Sequence, residues 1–284
     1  MSPAGSRWFQ PSGDRSGEAG RPLHRRTHVA GLDQAQPARS LPTGRLTEAR
    51  ILGVRVDCLD MRTALERVER FVEDGVTQLV ATVNAEFVMR AQEDREFARV
   101  LNSAGLCLPD GIGVVWAARR QGCALDQTVS GVDLIQPLAA MCARRGFKLF
   151  LLGAAPGVAG DLAARLRAAN PSLQVTAHSG GPDPAQDAET LKLIHEHGTQ
   201  VLLVAFGAPA QELWIDRLRN RLGVAVGIGV GGAFDFLTGR MPRAPEWMRR
   251  AGLEWLFRLA RQPWRIRRMT VLPAYAVKVL RSPK

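Results

Sequence analysis

Asp110 follows the short apolar run LCLP and precedes Gly-Ile-Gly and a stretch of helix-forming residues. A carboxylate held at a strand end can take a proton from a hydroxyl, a step that contributes roughly 10²–10⁴-fold to a rate. The same placement suits a helix N-cap, because an aspartate before an apolar helix satisfies free N–H groups. Both readings stand on the spacing. Thr82, Asn84 and Glu86 follow a second apolar run and bring further polar groups to an equivalent position.

Two glycine-rich segments come later. Gly207-Ala-Pro-Ala-Gln211-Glu212 follows VLLVAF and opens a helix. Glycine lets a ligand approach the backbone, a helix N-terminus favours phosphate, and Gln211 offers both a donor and an acceptor. A plain strand-to-helix turn with Pro209 at the first helical position is the alternative. Gly227-Ile-Gly-Val-Gly-Gly232 matches Gly-x-Gly-x-x-Gly letter by letter. The dinucleotide motif needs a long helix next and an early place in a βαβ unit, and neither is present here. Asp235, just beyond, can accept hydrogen bonds from a base or a ribose, or cap the helix that follows.

Several chemistries find no support. His195 and His197 are two apart, which does not place them on one helical face, so no metal site is expected. No Asp-x-Asp occurs to clamp a metal–diphosphate, and no Gly-x-Ser-x-Gly elbow marks a serine hydrolase. No cofactor is expected.

The elements that must position these residues are legible as an alternation. Strands are expected at 51–56, 78–83, 106–109, 148–152, 173–176, 201–206 and 224–229. Helices are expected at 61–73, 85–102 in two pieces, 113–122, 130–145, 158–170, 184–197 and 209–222. Asp60 is the expected cap of the first helix. Continuous apolar strands such as KLFLL and VLLVAF, separated by amphipathic helices, predict an α/β fold: an open, mainly parallel, Rossmann-like sheet with helices on both faces. Right-handed crossovers would gather the loops after the strands on one rim, where ligands bind in such sheets.

The flanks differ from this core. Residues 1–48 are rich in Gly, Pro, Ser, Arg and Gln, and read as a disordered leader before an α/β domain at 49–239. The net charge of +11 is uneven: residues 240–284 carry 12 basic and 2 acidic side chains. There Trp, Leu and Phe interleave with Arg, the pattern of a basic amphipathic helical appendage that can lie on an anionic membrane surface. An ordinary packed C-terminal helix and a nucleic-acid-binding tail are the alternatives, although with the tail as a nucleic-acid anchor the glycine-rich rim and Asp110 would have no purpose. No apolar run reaches the roughly 18 residues needed to span a bilayer. The dispersed Cys58, Cys107, Cys123 and Cys142 read as reduced packing residues of a cytoplasmic protein.

Taken together, the ordered motifs TVNAE at 82–86, LPDGIGVVWAAR at 108–119, SGVDL at 130–134, FGAPAQE at 206–212, GVGGAFDF at 229–236 and RAP at 243–245 followed by GLEW at 252–255 resemble the WecG/TagA/CpsF glycosyltransferases over about residues 50–270. The resemblance implies an inverting, metal-independent transfer of a sugar, N-acetylmannosamine or a related hexose. The donor is a UDP-sugar and the acceptor a polyprenyl-diphosphate-linked sugar on the cytoplasmic membrane face, in surface-polymer synthesis. It implies Asp110 as the general base and Thr82 and Gln211 as polar active-site residues. Asn84, Glu86 and Gly207 are expected at the substrate, and Asp235 at the nucleotide. Arg258, Arg265 and Arg268 would supply cations for the diphosphate or lipid. Thr128 stands where the family usually has arginine, which removes one expected cation; Arg119 or Arg120 are the nearest substitutes in sequence, and an inactive family relative is the alternative reading. A nucleic-acid partner is not expected, and a homo-oligomer is compatible with the sequence.

Overall fold

A computed structural model describes residues 47–245, 247–248, 254–261 and 270–282. The leader expected over 1–48 lies, apart from its last two residues, outside the described residues.

Six strands form one parallel sheet: β3 (Gln78–Val83), β4 (Leu106–Pro109), β5 (Leu149–Gly153), β6 (Val175–His178), β7 (Val201–Ala205) and β8 (Val226–Gly229). Their spatial order is β4-β3-β8-β7-β5-β6. Successive side chains of a strand point to opposite faces, and here both faces are dry. Leu79, Ala81 and Val83 of β3 enter one apolar cluster, and Val80 enters the other. Phe150 and Leu152 of β5 divide in the same way from Leu149 and Leu151, as do Leu202 and Val204 of β7 from Val201 and Leu203. Burial on both faces is why these strands are apolar without alternation.

The segment expected as a single strand near residue 51 is instead an antiparallel hairpin, β1 (Glu48–Ile51) and β2 (Val54–Asp57), outside the main sheet. Leu52 (φ 48°) and Gly53 (φ 83°) both take left-handed backbone at the turn. Asn102 and Gln92 hold this turn by donating to Gly53 O at 3.0 Å and Leu52 O at 2.9 Å.

Helices α1 (Met61–Asp74), α2 (Ala85–Arg90), α3 (Arg95–Ser103) and α5 (Gly131–Arg145) start at side-chain caps: Asp60, Asn84, Asp94 and Ser130. Each cap accepts from an N–H three residues on, satisfying a group with no partner inside the helix. Asp94 divides the long helical stretch into its two expected pieces. Between them and beyond run α4 (Ile112–Arg120), α6 (Val158–Ala169), α7 (Asp187–His197), α8 (Ala210–Leu218) and α9 (Ala233–Leu237). Among the described residues of the tail run α10 (Glu254–Arg261) and α11 (Val271–Arg281).

The reading of four reduced cysteines holds for two. Cys107 and Cys142 are buried and free, and burial pushes both thiols up to about 12. Cys58 and Cys123 are instead joined as a disulfide, with Cα atoms 5.7 Å apart. The bond ties the end of β2 to the end of α4. A separation of 65 residues with no Cys-x-x-Cys spacing hides such a pair from a linear reading.

Candidate active site

The strand order brings the singled-out segments together. β4, β3, β8 and β7 are consecutive neighbours in the sheet, and all point the same way. Asp110, the segment from Thr82 to Glu86, the Gly229 to Asp235 segment and the Gly207 to Gln211 turn therefore leave four adjacent strand ends on one rim. Ligands of open α/β sheets bind at this rim.

Asp110 is half-buried and anchored by its backbone: its N–H donates to Val83 O at 2.8 Å, extending the β3–β4 ladder by one step. The N-cap of α4 is Gly111, at φ 89°, so Asp110 stands one position outside the cap. The positive φ lets the chain turn sharply from strand to helix, a conformation that favours glycine.

Thr82 is buried, and its hydroxyl donates to Gly229 O at 3.1 Å, which ties β3 to the last residue of β8. Asn84 is the cap of α2, its Oδ1 accepting from Phe87 N–H at 3.1 Å, and Glu86 lies in the first turn of that helix.

Gln211 is 1% exposed. Its Oε1 accepts from Gly207 N–H at 3.1 Å and Gly231 N–H at 2.9 Å, so one amide oxygen holds the β7–α8 and β8–α9 loops together. Its Nε2 donates to Glu212 Oε1 at 2.7 Å. Pro209, expected as the first helical residue, occupies the N-cap of α8. Glu212 is fully buried, and burial raises its carboxyl to about 8. A Cβ at Gly229 would meet Glu212 Oε1 and Gln211 Nε2, so any side chain there would displace this pair.

Asp235 is not the cap of its helix. Gly232 holds that position, and Asp235 is the third residue of α9, partly exposed, with its carbonyl accepting from Met241 N–H at 3.0 Å. The chain beyond α9 is fixed by two arginines. Arg243 forks onto Asp133, with one bond of 2.7 Å and another of 2.8 Å, and Arg240 reaches Asp161 at 3.1 Å. Ser130 donates to the same Asp133 at 2.6 Å.

The two arginines nearest in sequence to Thr128 are otherwise engaged. Arg119 donates to Leu125 O and reaches Asp126 at 3.5 Å, and Arg120 lies over the Trp116 ring.

Of the tail residues singled out, Arg258 lies on α10, and Arg265 and Arg268 fall outside the described residues. The last helix packs on the sheet domain. Tyr275 and Val279 are buried, and the Tyr275 hydroxyl donates to Gly113 O at 3.1 Å, three residues beyond Asp110. Burial raises this phenol above its ordinary value. Among the described residues no helix is long and apolar enough to cross a membrane.

Linear reading missed Glu212 and the Thr82–Gly229 bond. The signal for Glu212 was its place directly after Gln211, at the first turn of a helix opened by glycine. Its side chain packs against the strand-end Gly229, seventeen residues later, and nothing local marks that approach.

Residues 49–284 match the family model described as "Glycosyl transferase WecG/TagA/CpsF family". Two relatives carry the name "N-acetylglucosaminyldiphosphoundecaprenol N-acetyl-beta-D-mannosaminyltransferase". One, from Bacillus subtilis, is 34% identical over 217 residues, covering 76% of this chain and 84% of the relative. The other, from Bacillus spizizenii, is 32% identical over 214 residues, covering 75% and 83%. The rim and these matches agree: the chain belongs to the WecG/TagA/CpsF family and is a glycosyltransferase.

Proposed function

We propose that this enzyme transfers N-acetylmannosamine or a related hexose from a UDP-sugar to a polyprenyl-diphosphate-linked sugar, with inversion and without a metal ion. The observation that carries the reading is the convergence of Asp110 with the two glycine loops on neighbouring strand ends of one rim. Asp110 takes the proton of the acceptor hydroxyl, and that oxygen attacks the anomeric carbon in line as the bond to UDP breaks. Inversion follows from one displacement. Glycine loops with helix N-termini behind them suit the donor diphosphate, and Asp235 suits a nucleotide hydroxyl. The names of the two relatives, which specify an undecaprenyl-diphosphate-linked N-acetylglucosamine acceptor, support this substrate class.

The departing diphosphate gains negative charge and needs cations or N–H donors. With Asp-x-Asp lacking from the sequence, Arg258, Arg265 and Arg268 of the tail are the proposed source. Residues 240–284 also hold the enzyme to the inner face of the cell membrane, where such an acceptor is anchored. The docking of Tyr275 beside Gly113 supports a tail that returns to the Asp110 edge of the rim.

Incubation with a panel of UDP-sugars and a polyprenyl-diphosphate N-acetylglucosamine tests the reading. It requires UDP release matched by extension of the lipid-linked sugar. No extension with any UDP-sugar, by folded protein on anionic vesicles, rejects it.

A further inference from the structure

Glu212 has a chemical role that the catalytic reading leaves unused. Backbone N–H groups only donate, so the two that meet Gln211, from Gly207 and Gly231, fix its oxygen on their side and its NH₂ towards Glu212. Residue 212 must therefore present an acceptor to Gln211. It must do so with no water access, since it is fully buried, and its Oε2 has no hydrogen-bond partner. Neighbouring side chains of a helix do not normally face each other. Here both converge on the bare backbone of Gly229.

We propose that Glu212 is a positioning residue that works as a neutral carboxylic acid: its carbonyl oxygen holds the Gln211 amide in the one orientation that locks the two glycine loops of the donor rim. The assignment of these loops to the donor diphosphate rests on the function proposed above; the brace itself does not. Ionisation places an unmatched charge against Gly229. The Gln211 amide and the backbone N–H of Glu212 offset only part of the effect of burial. The strands packed on α8, β3 (QLVATV) and β8 (VGIG), bring no ionisable side chain. Helix α3 brings Arg95, Glu96 and Arg99, and Arg99 is taken by Asp216 at 2.7 Å. On the α7 side, Asp187 is matched with Arg217 and Trp214. As pH rises through the titration of Glu212, near 8, a buried negative charge develops beneath the two loops and the anionic donor binds less tightly.

Glu212→Gln and Glu212→Ala separate the proposal from a general packing role. Glutamine keeps a neutral acceptor, whereas alanine leaves the Gln211 amide unmatched. Backbone hydrogen exchange over residues 205–211 and 229–235, corrected for intrinsic rates, reads the brace without any activity. The alanine variant is expected to exchange about tenfold faster there and to bind UDP about tenfold more weakly, as for the loss of one buried hydrogen bond. The glutamine variant is expected to match the wild type at pH 7 and to lose the alkaline weakening of UDP binding seen in the wild type between pH 7 and 9.5. Should the alanine variant fail to fold, the wild-type and glutamine pH profiles decide. An alkaline limb that persists in the glutamine variant, or a glutamine variant that exchanges as fast as alanine, overturns the proposal. If exchange follows the expected pattern while the wild type transfers no sugar, the brace stands and the catalytic reading fails.

Discussion

The hydroxyl of Thr82 donates to the carbonyl of Gly229, joining the carboxyl ends of β3 and β8 beneath the rim. Glu212 and Gln211 fill the space where a Cβ at Gly229 would stand, so a side chain there would have to displace them. Thr82, Gly229, Gln211 and Glu212 thus form one buried polar patch, and its visible surface is the backbone of the two glycine loops. Asp110 lies at the next strand end, positioned by the ladder bond to Val83 O.

Replacing Thr82 by valine removes that bond while nearly preserving volume. The denaturation midpoint is expected to fall by the equivalent of about 1 kcal/mol with an unchanged denaturant slope. Turnover is expected to fall with it, because the Gly229 to Gly231 backbone loses one of its ties. Thr82→Ser, which keeps the hydroxyl, is expected to retain most of both. Equal stability and turnover in the valine variant and the wild type would show that the bond contributes nothing.

Asp110→Asn tests the base directly. The carboxamide has the same shape but takes no proton, so kcat is expected to drop by roughly 10²–10⁴-fold. UDP affinity, measured by calorimetry, is expected to be preserved, since Asp110 follows β4 and the glycine loops follow β7 and β8. A variant with full turnover removes Asp110 from the mechanism.

The sheet was legible because its strands are buried on both faces. KLFLL and VLLVAF have no polar alternation, and helices α6 and α7 run between them. Asp110 was legible as a site residue for a positional reason: polar groups just past such strands must lie on the rim. Its competing role as a cap could not be separated without knowing that Gly111 takes that position at φ 89°. The hairpin was misread as one strand because Leu52 adopts a left-handed conformation that its side chain does not announce. Glu212 looked like any acidic residue in a first helical turn, a place where negative charge normally faces solvent and the helix dipole. Its place against Gly229 and the Cys58–Cys123 bond are both long-range contacts with no local signature.

The tail cations make a graded prediction. Each Lys or Arg near an anionic bilayer is worth about 1 kcal/mol, so each neutralisation among Arg258, Arg265 and Arg268 is expected to weaken binding to anionic vesicles about fivefold. Glutamine at all three is expected to abolish most sedimentation with phosphatidylglycerol vesicles and to leave the melting temperature of the sheet domain nearly unchanged. Unchanged sedimentation would rule out these arginines as the membrane contact.

The last prediction follows from the titration of Glu212. Its carboxyl holds a proton in the folded protein up to about 8, whereas in the unfolded chain it ionises near its ordinary 4.5. Between those values the folded state binds the extra proton, so this group's contribution to stability is full below about 4.5 and is lost as pH rises towards 8. The slope is about 1.4 kcal/mol per pH unit at most. Asp187 acts in the opposite sense. Burial pushes its carboxyl up, but the bonds from Arg217 and Trp214 outweigh that and lower it, so its contribution is lost as pH falls. Glu212→Gln removes only the first effect. Urea denaturation at pH 5, 6, 7 and 8 is therefore expected to show the wild type losing stability relative to the glutamine variant at each step upward. Parallel curves across that range would mean that Glu212 is ionised in the folded protein, and that the patch under the rim contains a charge.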